Sequence, residues 1–122
     1  MYRKYYTLFL VLFISIEFLT AQTVDGVPLK EIDVKYVQLI GTGRAFQANM
    51  HVTLDYGQEN TSIQRRGHVI LDEHCEQIVF HSMMDALNYM AAFGYELLEF
   101  HITVNSSDWH TFYYILRRSD QE

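Results

Sequence analysis

Six side chains between Asp72 and His81 have the types that bind metals or attack bonds: His74, Cys75 and His81, with the carboxylates of Asp72, Glu73 and Glu76. Imidazole, thiolate and carboxylate are the donors of a zinc site, but no Cys-x-x-Cys or His-Glu-x-x-His spacing fixes them on one face. No metal site is therefore assigned, and His74, Cys75 and His81 remain metal candidates by proximity alone. For nucleophilic chemistry the pairs are Cys75 with His74 and Ser82 with His81. Neighbours in an extended chain point to opposite faces, and Ser82 lacks the Gly-x-Ser-x-Gly elbow that would present it. Ser82 reads instead as a helix cap, and the lone Cys75 as a small buried hydrophobe. Glu96 and Glu99 could form an acid pair only in an apolar cleft that pushed their pKa values apart. The sequence thus assigns no catalytic residue and calls for no cofactor, and the reading leans away from an enzyme. A metal-binding or small hydrolytic protein using the His74/Cys75/His81 region is the alternative.

The elements that would position these groups begin with Phe80 to Phe100. Ser82 caps a helix with Asp85 three residues later, and Gly94 ends it. Met83, Met84, Leu87, Met90, Ala91 and Phe93 form the predicted apolar stripe. After Gly94 the period becomes two, with Leu98, Phe100, Ile102 and Val104 on one face and Leu97, Glu99, His101 and Thr103 on the other. A turn at Asn105-Ser106-Ser107-Asp108 and a strand from Thr111 to Leu116 close the domain, pairing Leu98, Phe100 and Ile102 with Leu116, Tyr114 and Phe112. Tyr113 and Ile115 then share the opposite face, an apolar surface expected to meet a partner.

Upstream, Val34 to Ile40 reads as a strand that turns at Gly41-Thr42-Gly43 into a second strand, Phe46 to Tyr56. No helix pattern follows those glycines, which argues against a phosphate loop. Tyr56 to Gly67 is a loop carrying Arg65-Arg66, a candidate contact surface. His68–Leu71 and Gln77–Phe80 are expected to form a short hairpin leading into the helix. The sum is an α+β fold: an antiparallel sheet of four to five strands with one helix on one face, ordered β-β-β-β-α-β-β or β-β-β-α-β-β. Residues 33–118 form this single domain, after a flexible lead at 22–32 and before a polar tail at 119–122.

The first 21 residues read as a secretory signal peptide: Arg3 and Lys4, an apolar run from Thr7 to Leu19, and a small residue, Ala21, at a cleavage point. The run is shorter than a membrane span and holds Glu17 near its end. A secreted or periplasmic protein is the expectation, with no membrane insertion once the signal is cleaved. The net charge of −6 becomes seven negatives when Arg3, Lys4 and Glu17 leave with it. Such a surface repels phosphate backbones, so nucleic acid is not expected as a partner.

Ala86-Leu87-Asn88-Tyr89-Met90-Ala91-Ala92-Phe93-Gly94-Tyr95-Glu96-Leu97, followed by Tyr114-Ile115-Leu116-Arg117-Arg118, resembles a widespread family of small exported bacterial domains of unknown function. Those domains carry a helix, a Gly-Trp-Glu-Leu-Val turn into a strand, and a closing Tyr-Ile-Phe-Lys-Arg strand; Tyr95 stands here for the Trp. The resemblance implies a compact α+β fold and export, and carries no catalytic residue. The functional expectation is a non-catalytic domain for protein binding or self-association, with Tyr113, Ile115, Arg65 and Arg66 as interaction candidates.

Overall fold

The computed structural model describes residues 21–44, 48–59, 68–105 and 107–119. The chain runs β1 (Thr23–Val24), β2 (Val27–Pro28), a 3-10 turn (Leu29–Glu31), β3 (Tyr36–Arg44), β4 (His51–Asp55), β5 (Ile70–Leu71), α1 (Met83–Ala91), β6 (Tyr95–Val104) and β7 (Trp109–Arg118). It is an α+β fold with two antiparallel sheets, one of three strands in the order β2-β1-β5 and one of four in the order β4-β3-β7-β6. One helix completes it. The sequence predicts a single sheet; the second one arises because β1 and β2, too short to show any alternation, pair with β5.

The helix forms where its cap residues stand. The Asp85 amide donates to Ser82 Oγ at 3.1 Å, and the His81 amide donates back to Asp85 Oδ2 at 3.1 Å, a shortened capping box. Gly94, at φ 86, ends it in the left-handed region where a Cβ would be strained. Met83, Ala86 and Met90 are its buried residues, whereas Met84 and Ala91, predicted to join the stripe, face solvent. These inward residues meet Val37, Leu39, Val52, Leu54 and Leu116 from the larger sheet and Phe80 from the segment before the helix.

Gly41 and Gly43 do not turn the chain. They lie inside β3, which runs straight through them, because the helix needs the room. A Cβ built on Gly41 would stand 2.1 Å from Met83 Sδ. Glycine here is a socket for a methionine, a role that turn chemistry cannot be told from at the level of sequence.

The lead at 22–32 is likewise corrected. Asp25 and Gly26, at φ 53 and 79, make a two-residue turn between β1 and β2, the dipeptide such a hairpin prefers. Val24, Leu29 and Ile32 are buried in the common core. What holds the lead down is polar as well as apolar. Asp25 Oδ2 meets His68 Nδ1 at 2.5 Å and accepts from Gln58 Nε2 at 2.9 Å, so the hairpin is stapled to the segments after β4 and before β5.

A second clamp joins distant segments just after α1. Arg118 donates through Nη2 to the Ile32 carbonyl at 2.5 Å and lies over the Tyr95 ring, 5.1 Å from its centroid. The Ser119 amide donates to the Gly94 carbonyl at 2.8 Å.

Tyr89 packs edge-on against Phe80, with ring centroids 5.4 Å apart, yet among the described residues its buried hydroxyl has no hydrogen-bond partner. Burial, aided by the Asp72 carboxylate, pushes its pKa up to about 12 from 10.0. Between those two values the folded chain keeps a proton that the unfolded chain has lost. Stability held below pH 10 is therefore expected to fall as pH rises toward 12. Tyr89→Phe should make that alkaline decline shallower, as denaturant midpoints measured on either side of this window would show; an unchanged slope would contradict the assignment.

Candidate functional site

The residues with the most reactive side chains are dispersed over a turn. Asp72 Oδ1 accepts from the amides of His74 at 2.8 Å and Glu76 at 3.0 Å, which folds the chain back between β5 and Gln77. These bonds, the Glu76 amide first, hold the Asp72 carboxyl below the usual carboxylate range. Cys75 sits in this turn at φ 61 and is exposed, which overturns its expected burial. His74 Nδ1 lies 3.9 Å from a Glu73 carboxylate oxygen in open solvent. His81 is exposed just before the helix cap. Among the described residues no three His, Cys, Asp or Glu side chains gather where they could hold a metal ion. Ser82 Oγ is engaged as the cap and Glu96 accepts from Arg117 Nη2 at 2.6 Å, so neither stands ready as nucleophile or acid.

The larger sheet carries the other candidate surface. β3 and β7 are its inner strands, and their nine-pair register sets Val37 against Leu116, Leu39 against Tyr114 and Gly41 against Phe112 on the helix side. β6 continues that face with Leu97, Phe100, Ile102 and Val104, opposite Leu116, Tyr114, Phe112 and His110. A bulge between Leu97 and Glu99 moves Leu97 to the side opposite from its predicted one and takes Leu98 out of the register with Leu116. The helix covers the Leu116 end and leaves the far end bare. Leu116 is 0% exposed, but Phe100 is 59%, Ile102 42% and Val104 61% exposed.

The opposite face holds an open hollow of about 420 Å³ between Gln38 of β3, Tyr113 and Ile115 of β7, and Glu99, His101 and Thr103 of β6, with Phe100 also in its lining. The His101 and Tyr113 rings lie with centroids 6.4 Å apart. Tyr113 and Ile115 thus sit where the sequence places them, on the side away from the helix. Arg65 and Arg66 lie outside the described residues. Glu99, His101 and Thr103 share the face that alternation predicts for them, whereas sequence reasoning missed Gln38, which only the adjacency of β3 to β7 brings there. β6, the edge strand of this hollow, carries ten residues with neither proline nor lysine to blunt it.

No helix among the described residues is long and apolar enough to cross a membrane. No protein-family model matches the chain, and neither a curated protein nor a solved structure shows significant similarity to it.

Proposed function

We propose that this is a small exported, non-catalytic domain that works by binding protein through the β6 side of its larger sheet. One observation carries the reading: Phe100, Ile102 and Val104 stand exposed in a row on an edge strand, beside half-buried Tyr114, Phe112 and His110, while Val37, Leu39 and Leu116 on the same sheet face are buried in the core. Apolar side chains in such a row gain by being covered, and each fully covered one is worth about 1.5–3 kcal/mol. An edge strand adds main-chain donors and acceptors that a partner can pair with. Export is supported by the Arg3-Lys4 and Thr7–Leu19 pattern and by the resemblance of 86–97 and 114–118 to exported bacterial domains.

The test is a photo-crosslinking side chain placed at Ile102 in the producing cells. A protein adduct is expected there and not from a control at the exposed Lys30 on the 3-10 turn. If both positions stay free of adducts, the binding reading is wrong.

A further inference from the structure

We propose that β6 pairs antiparallel with β6 of a second copy of this chain, in a two-fold register centred on Phe100. This rests on the protein-binding reading above and narrows the partner to the chain itself.

The two edges of the larger sheet differ. Along β4 the Leu54 amide donates to the His68 carbonyl at 2.8 Å, and bridges join Thr53 to Val69 and Met50 to Phe80. That edge is covered for part of its length. β6 has β7 on one side and, among the described residues, no strand on the other. The direction of its backbone groups follows from the closing turn. The Asn105 amide donates to the Trp109 carbonyl at 3.0 Å, so that pair is hydrogen-bonded. Alternation along an antiparallel ladder then turns the amides and carbonyls of Thr103 and His101 toward β7. Those of Phe100, Ile102 and Val104 point outward, on the same residues whose side chains are bare.

Charge selects the register. Residues directly opposite in an antiparallel pair share a face, so a two-fold pairing of the Phe100–Ile102 stretch centres on Phe100, His101 or Ile102. Centring on His101 sets that imidazole against its own copy, and centring on Ile102 sets it against Thr103. Centring on Phe100 sets Glu99 opposite His101 of the second copy, and symmetry makes the contact twice. Both groups are available. Glu96 is held by Arg117, but Glu99 and His101 form no ion pair among the described residues. The same register lays Phe100 against its copy, continuing the apolar row across the boundary. Two four-stranded sheets become one.

The experiment is the solution mass, by sedimentation over a range of concentrations, of the wild type, Glu99→Arg, His101→Glu and the double variant carrying both. The wild type is expected to be a dimer. Glu99→Arg removes the two carboxylate–imidazole contacts and His101→Glu sets carboxylate against carboxylate twice, so each should weaken the dimer about tenfold. The double variant exchanges the charges across the boundary and should recover most of the loss. Ile102→Pro, which removes an outward amide and spares the ladder to β7, should give a monomer with an unchanged far-ultraviolet spectrum. A wild type that is monomeric at every concentration overturns the proposal, as does a double variant weaker than either single one. An Ile102 crosslink to a different protein, with a monomeric wild type, would overturn the dimer while leaving the protein-binding reading intact.

Discussion

Leu39→Ala is expected to lower the unfolding free energy by about 2–5 kcal/mol, the range for truncating a buried leucine, while Phe100→Ala lowers it by less than about 1 kcal/mol. Both residues lie on the helix side of the larger sheet. Leu39 is 0% exposed on an inner strand, paired with Leu54 on one side and Tyr114 on the other. Its removal leaves a cavity between α1 and the sheet that neither layer can close without breaking the ladder. Phe100 is large and aromatic, yet more than half of it is wet, and its ring touches Tyr114 at a centroid distance of 5.9 Å. Denaturant titrations of the two variants, done where the protein is monomeric, decide the matter. Equal losses would mean that the β6 row is folded into the core after all, and would remove the basis for calling it a contact surface.

The second large effect is expected at Gly41. Gly41→Val puts a branched side chain where an added Cβ already lies 2.1 Å from Met83 Sδ and 3.4 Å from Met50 Cε. Overpacking of this kind costs about 1–3 kcal/mol. The clash is with the thioether of a flexible side chain, so Gly41→Ala should be the milder change. Met83→Ala should absorb much of the valine's cost. The double variant is then less destabilised than the two single losses added together, by an interaction of about 0.5–3 kcal/mol. Strict additivity would show that Gly41 is glycine for some reason other than the methionine beside it.

How far the fold could be read in advance depended on whether the cause was local. The Ser82 cap, the Asp85 return bond and the Gly94 stop act within a few residues, and all three stand as the spacing predicts. The pairing of Phe100 with Tyr114 and Ile102 with Phe112 also followed from alternation alone. Alternation says nothing about an extra residue, and the bulge at Leu98 escaped it. Gly41 and Gly43 were misread because a turn and a close helix contact both require a missing side chain. Asp25-Gly26 is favoured turn chemistry, but two-residue strands carry no period, so the hairpin around it reads as a flexible lead. Cys75 defied the usual burial of free cysteine because Asp72 organises the turn that holds it out. At the candidate surface, Tyr113 and Ile115 were visible as one face of one strand. Glu99 and His101 were placed by the same alternation on the hairpin partner, but Gln38 was not, since it comes from a strand whose adjacency is set by the whole packing.

The central pairing of β3 with β7 has a consequence for how the protein is made. Tyr36 lies opposite Arg117, so the seam of the larger sheet joins its first strand in sequence to its last. Loop closure on that scale must precede most of the contacts that reward it, which makes assembly slow and dependent on the last strand. While synthesis is still under way, β3 and β4 have no mate to complete their sheet. A polypeptide built this way completes its larger sheet only when β7 is available to sit between β3 and β6.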